Sequence, residues 1–276
     1  MNIQTITKIL IDSGIEENEA KKEVQMLLEH FCGYSEKDRL LGKKLSEEQL
    51  ELLFSKVNLR VQKRIPIQYI IGEAYFMGKF FKVTPDVLIP RDETEIVVNE
   101  AIELIKKHDL KHVLDIGTGS GCIACTIAKR TDATALGVDI SSDALRVALD
   151  NVTKLGINNR AVFRKSDLYE KIREDEKFDL IISNPPYIPK GTALEPEVMQ
   201  EPSLALFAEE NGLSFYRRII ENAPNYLNKD GWLIFELGIN ESEKVSQLME
   251  QNFINIVVEK DLSGIDRVIY GKLKEC

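Results

Sequence analysis

From His112 onward, short runs rich in β-branched residues alternate with segments of helical period. That alternation limits the possible folds more than any other feature of the chain. The strand candidates are His112–Ile116, Thr134–Ile140, Ala161–Lys165, Phe178–Ser183 and Trp232–Leu237. Helical patterns after Gly121, Ser141 and Gly212 separate several of them. Parallel strands need crossovers that run outside the sheet, so the pattern predicts a mostly parallel sheet covered by helices on both faces. Asn252–Glu259 and Ile265–Gly271 end the chain with no helix between them, which predicts an antiparallel hairpin at the sheet edge. The expected fold class is α/β, a doubly wound, mostly parallel seven-stranded sheet with that terminal hairpin.

The first 64 residues read differently. Val24, Leu27, Leu28 and Phe31 fall at helical spacing, and Gly33 follows as a stop. Ser46-Glu47-Glu48-Gln49 has the form of a capping box, after which Leu50, Leu53, Val57 and Val61 supply one apolar face. A small helical bundle is expected over 1–64. Ile65–Gly72 is short, rich in β-formers and bounded by Pro and Gly, and Tyr75–Val83 follows with Gly78 as a turn candidate. Together they predict a β-hairpin linker over 65–89, leaving 90–276 for the sheet domain.

The 276 residues are 43% hydrophobic and 29% charged, enough for a real core in one or two domains. No apolar run approaches the ~18 residues of a membrane span, and the start lacks a basic-then-apolar leader pattern. A soluble, cytoplasmic, monomeric protein is the expectation. The net charge of −9 is uneven: residues 1–85 hold 13 basic and 12 acidic side chains, the remainder 23 and 33. An acidic sheet domain argues against free nucleic acid as a direct substrate, because phosphate neutralisation needs a basic face. Cys122 and Cys125 form a C-x-x-C, but no second pair and no histidine at ligand spacing accompany it. They read as small residues packing a helix on the sheet, and no metal is expected.

Val113-Leu114-Asp115-Ile116-Gly117-Thr118-Gly119-Ser120-Gly121 runs from a strand through a glycine loop into a helix. Glycines there allow close backbone approach to a ligand. The spacing is G-x-G-x-G, not the G-x-G-x-x-G of a dinucleotide fingerprint. Asp115 would repel a pyrophosphate, whereas it suits a ligand with a cationic amino-acid end. S-adenosylmethionine, a sulfonium, fits these residues better than NAD. Asp139 ends the next strand, where ribose hydroxyls are gripped in nucleotide-binding α/β folds, or else it caps the helix near Ser141. Asp167 follows the third strand, either as an acceptor for an adenine amino group or as an ordinary loop acid, with Leu168 beside it. The cofactor candidates are thus Asp115, Gly117, Thr118, Gly119, Ser120, Gly121, Asp139, Asp167, Leu168 and Asn184.

Asn184-Pro185-Pro186-Tyr187 directly follows the fourth strand candidate, so it falls at the same carboxyl edge as these acids. Alone, it also reads as a strand ending in a proline-rich turn. Beside a methyl donor it gains a chemical meaning. An amide or aromatic NH2 is a poor nucleophile, and a site that alkylates it must hold the NH2 by acceptors. Asn184 offers a side-chain carbonyl, the Pro185–Pro186 step stiffens the neighbouring carbonyls, and Tyr187 offers a stacking surface. Asn184, Pro185 and Tyr187 are the catalytic candidates, with Pro186 added for substrate binding.

These segments resemble the peptide chain release factor glutamine methyltransferases (the HemK or PrmC family) of class I S-adenosylmethionine-dependent methyltransferases. Arg64–Gly72 resembles the family's linker signature and Val87–Arg91 through Glu95 its interdomain motif. Asp115–Gly121 is similar to the cofactor loop, Asn184–Ile188 to the catalytic motif, Glu201–Leu206 to a following loop and Asp261–Val268 to the terminal motif. Asp92, Leu168 and Ala208–Gly212 depart from the usual family pattern. The resemblance implies a Rossmann-like methyltransferase sheet and methyl transfer to the glutamine amide of a Gly-Gly-Gln motif. It also implies that peptide chain release factors are the partners and that the bundle recognises them. Glutamine methylation of a ribosomal protein and amino methylation of nucleic acid are the alternatives.

Overall fold

The computed structural model describes residues 2–275. The chain divides into two compact units, one running through Glu73 and taking in Leu194–Gln200, the other made of Ala74–Ala193 and the chain from Glu201.

The first unit is helical: α1 (Ile3–Asp12), α2 (Glu17–Cys32), α3 (Glu36–Leu40), α4 (Glu47–Lys63) and α5 (Ile67–Ile71). Its core joins Ile6 and Leu10 of α1, Val24, Leu27 and Leu28 of α2, and Leu53 and Val57 of α4. The Ser46–Gln49 capping box forms, each side chain meeting the other residue's backbone N–H. Gly33 ends α2 at φ +58°, in the left-handed region. Arg60 of α4 is buried between two carboxylates, Glu23 of α2 and Glu197 of the segment Leu194–Gln200.

One expectation fails here. Ile65–Gly72 is not a strand; Pro66 opens the single-turn α5 and Gly72 closes it at φ +83°. Pro before and Gly after a short apolar run bound a helical turn as readily as a strand. Burial of Ile67 in the helical core decides between them. The hairpin itself is shorter than the linker reading, β1 (Glu73–Phe76) with β2 (Lys79–Lys82), turning at Met77 and Gly78, both at positive φ.

The second unit is built on a sheet whose described strands are β3 (His112–Ile116), β4 (Thr134–Asp139), β5 (Ala161–Lys165), β6 (Phe178–Ser183), β9 (Leu227–Glu236), β10 (Phe253–Lys260) and β11 (Asp266–Leu273). Their order is β10-β11-β9-β6-β3-β4-β5. Pairs from β9 through β5 are parallel, while β11 runs antiparallel to both β9 and β10. The α/β doubly wound fold with its terminal hairpin is therefore present. Two short strands, β7 (Ile188–Pro189) and β8 (Phe207–Ala208), pair in parallel beside it.

Helices α6 (Asp92–His108), α7 (Cys122–Arg130) and α8 (Ser142–Leu155) cover one face, sharing a core with Val113, Ala135, Leu180 and Ile182. The opposite face packs Leu114, Ile116, Val138 and Ile181 against α10 (Ser214–Asn222) and α11 (Ser242–Met249). The alternation of consecutive strand residues between two cores follows from the two-residue period of a strand. A short α9 (Ser203–Leu206) precedes β8. No described helix is long and apolar enough to cross a membrane.

Candidate active site

The chain reverses its direction of winding between β3 and β6. Open α/β sheets place ligands in the crevice outside the carboxyl ends of the strands flanking such a point. A cavity of about 220 Å³ opens there. Each strand end contributes to it: Ile116, Gly117 and Gly119 after β3, Asp139 to Ser141 after β4, Ser166 to Leu168 after β5, and Ser183 to Pro186 after β6. Asp86 to Leu88, Pro202, Leu204, Ala205, Phe215 and Arg218 complete the wall.

The glycine loop is held from several sides. Gly117 and Thr118 donate their N–H groups to the Val138 carbonyl, and Gly119 donates to Asp139 Oδ2 at 2.9 Å. Asn151 of α8, almost wholly buried, ties the loop to the hairpin: its Nδ2 donates to Ser120 O and Lys82 O, and its Oδ1 accepts from the Lys82 N–H. Gly117 has φ +74° and open space where a Cβ would stand, so the backbone itself forms the cavity floor.

The acids divide into two kinds. Asp139 also accepts from the Ser141 N–H, while Ser141 caps α8 with its own side chain, so Asp139 is not the helix cap. Burial raises the Asp139 pKa. Asp167 pairs through Oδ1 with Arg218 at 2.8 Å on the rim. Asp115, by contrast, lies beneath the loop and outside the cavity wall. It is fully buried; Oδ2 accepts from Thr118 Oγ1 at 2.6 Å and from the Ala124 N–H, and Oδ1 has no partner. Burial pushes its pKa up to about 7. Thr118, Ser120 and Gly121 likewise lie outside the cavity wall.

Asn184 lines the cavity with Pro185 and Pro186. Its Nδ2 donates to Thr94 Oγ1 of α6 at 3.1 Å. Tyr187 does not line the cavity: its ring packs beside Gly238 and its hydroxyl donates to Glu236 Oε1 at 3.3 Å. Sequence reasoning does not single out Thr94 or Glu236. The available signal is a lone acid within the apolar run Trp232–Leu237. Cys122 and Cys125 sit on α7 inside the core, and burial pushes the Cys122 thiol up to about 12.

Similar proteins are known for both parts of the chain. The methyltransferase domain family matches residues 107–268, and the PrmC N-terminal domain family matches residues 3–72. A release factor glutamine methyltransferase of Geobacter sulfurreducens is 40% identical over 98% of both chains. The chain belongs to the release factor glutamine methyltransferase family. A member from Bacillus cereus is 38% identical over 85% of each chain. Among solved structures, a Thermus thermophilus 16S rRNA methyltransferase in complex with AdoMet and guanosine superposes with a TM-score of 0.55. It shares 18% identity and covers 73% of this chain and 50% of that one, a likeness of fold. Membership makes this chain an S-adenosylmethionine-dependent methyltransferase.

Proposed function

We propose that this enzyme methylates the side-chain amide nitrogen of the glutamine in the Gly-Gly-Gln motif of peptide chain release factors. One observation carries the reading: Asn184 has its NH2 tied to Thr94, so its carbonyl end is left for the cavity that the glycine loop also lines.

The residues present fit the methyl donor. Gly117 and Gly119 give it bare backbone, Asp139 has carboxylate lone pairs left for ribose hydroxyls, and Asp167 Oδ2 is left for an amino group beside Leu168. Asp115, fully buried beneath the loop, acts on the donor only through the Thr118 hydroxyl and the Ala124 N–H that it holds. S-adenosylmethionine supplies a methyl group already activated on a sulfonium sulfur.

The protein's part is to present the acceptor nitrogen. Asn184 Oδ1 and the Pro185 carbonyl accept the two amide protons, turning the nitrogen toward the donor side of the cavity. Proline at 185 and 186 fixes the carbonyls on a stiff backbone. No strong base is needed, because an alkylated amide nitrogen is so acidic that its proton leaves to water. Holding two reactants in attack geometry supplies up to ~7–11 kcal/mol in favourable cases. Tyr187 supports Asn184 through Glu236. The helical unit recognises the release factor outside the tripeptide, and the enzyme acts as a cytoplasmic monomer.

Replacing Asn184 tests the site. Asn184→Ala is expected to bind S-adenosylmethionine normally by calorimetry while methyl transfer falls roughly 100–1000-fold, as when one preorganised hydrogen-bonding group is removed elsewhere. Retained turnover would place the acceptor contact on another residue. Label carried to RNA or to a ribosomal protein, with none on release factor, would overturn the substrate.

A further inference from the structure

An asparagine can turn either end of its amide to a cavity, and only the carbonyl end accepts. Behind Asn184 stands a short relay. Asn184 Nδ2 donates to Thr94 Oγ1, Thr94 Oγ1 donates to Glu236 Oε2 at 2.6 Å, and the Tyr187 hydroxyl donates to Glu236 Oε1. Thr94 and Glu236 are 2% and 1% exposed, and neither belongs to the cavity wall. A threonine hydroxyl has one proton. While Glu236 is a carboxylate it accepts from both hydroxyls and donates nothing, so the Thr94 proton is committed to it. Only a lone pair of Thr94 then faces Asn184, and that lone pair demands the NH2 end.

We propose that Thr94 and Glu236 are positioning residues that fix which end of Asn184 faces the acceptor, so that the site selects substrates presenting an NH2. The proposal rests on the reading above, in which Asn184 accepts from the substrate amide. Protonating Glu236 reverses the polarity of the relay. A carboxylic acid donates to Thr94, the Thr94 proton turns to Asn184 Oδ1, and the flipped amide presents its NH2 to a substrate NH2. Glu236 is faced by Thr94 and Glu93 of α6, by Tyr187 and by Arg267 of β11. Burial, the dominant influence, pushes its pKa up to about 7.

The test uses the full chain with release factor and S-adenosylmethionine. Thr94→Val keeps the shape but removes the hydroxyl. It should retain affinity for S-adenosylhomocysteine and the KM for release factor while kcat falls about 10–100-fold, the scale of one misdirected hydrogen bond. Thr94→Ser should restore most of the loss. Wild-type kcat should fall as pH drops through about 7, and Glu236→Gln should lose that acid limb. Thr94→Val turning over like wild type, or Thr94→Ser no better than Thr94→Val, overturns the proposal. Should Thr94→Val fail to fold, nitrogen-15 spectra of asparagine-labelled wild type decide. The Asn184 NH2 protons should exchange slowly and respond to pH between about 5 and about 8; an indifferent signal overturns the relay. A wild type that leaves release factor unmethylated contradicts the substrate reading instead, and the spectra still report the amide's orientation.

Discussion

Asp115 is a single residue placed to shape the proposed donor site without lining it. It alternates with Leu114 and Ile116 on β3, so it shares a face with Val113 and points under α7. From there it holds the Thr118 hydroxyl and the Ala124 N–H. Asp115→Ala strands both donors, and calorimetry should show donor affinity falling by about tenfold or more, since an unpaired buried group costs ~1–3 kcal/mol. Unchanged affinity would mean that the loop keeps its shape without the carboxylate. Its position just before the glycines is legible from the sequence, and so is its strand parity. What the sequence does not display is the depth of burial. Tyr187 repeats the lesson: the run Asn184–Tyr187 marks the candidate site, yet its last member faces Glu236, a residue 49 positions away.

At the scale of elements, the glycine loop works because its neighbours leave no slack. A Cβ on Gly137 of β4 would lie 2.6 Å from the Phe163 ring and 2.6 Å from Thr118 Oγ1. Gly137→Ala should therefore destabilise the fold by about 1–3 kcal/mol in urea denaturation, the usual cost of overpacking, and also weaken donor binding by displacing Thr118. A variant that loses neither would show that Phe163 moves aside freely. Gly137 sits inside a strand run that reads as ordinary from the sequence, because close packing from β5 and the loop is a tertiary fact. The parallel strands and their order of contribution to the cavity were readable, since buried parallel strands form distinct apolar runs. Ile65–Gly72 was not, because a five-residue apolar stretch fits either period and only the helical core that receives Ile67 chooses.

Across the whole molecule, three acids held near neutrality shape the pH response of folding. Burial lifts Asp115, Glu236 and Glu241 each to about 7. A carboxyl whose folded pKa lies above its unfolded value contributes stability at low pH and loses it as pH rises through the folded value. Stability without donor should therefore decline between about pH 4 and about pH 7 and level off above, read from urea midpoints. His108, lowered chiefly by burial, works in the opposite direction as a single group. A midpoint that rises across this window would mean that the buried acids are relieved by neighbours in the folded state. The uneven charge also belongs to this scale: the unit that carries the site is acidic, consistent with a protein acceptor rather than a polyphosphate backbone.

The substrate assignment is most directly tested by transfer of labelled methyl from S-adenosylmethionine to two release factor preparations, one wild type and one with the Gly-Gly-Gln glutamine changed to alanine. Label should appear on the wild-type factor, map to that glutamine, and be absent from the alanine variant. Equal labelling of both would contradict the account.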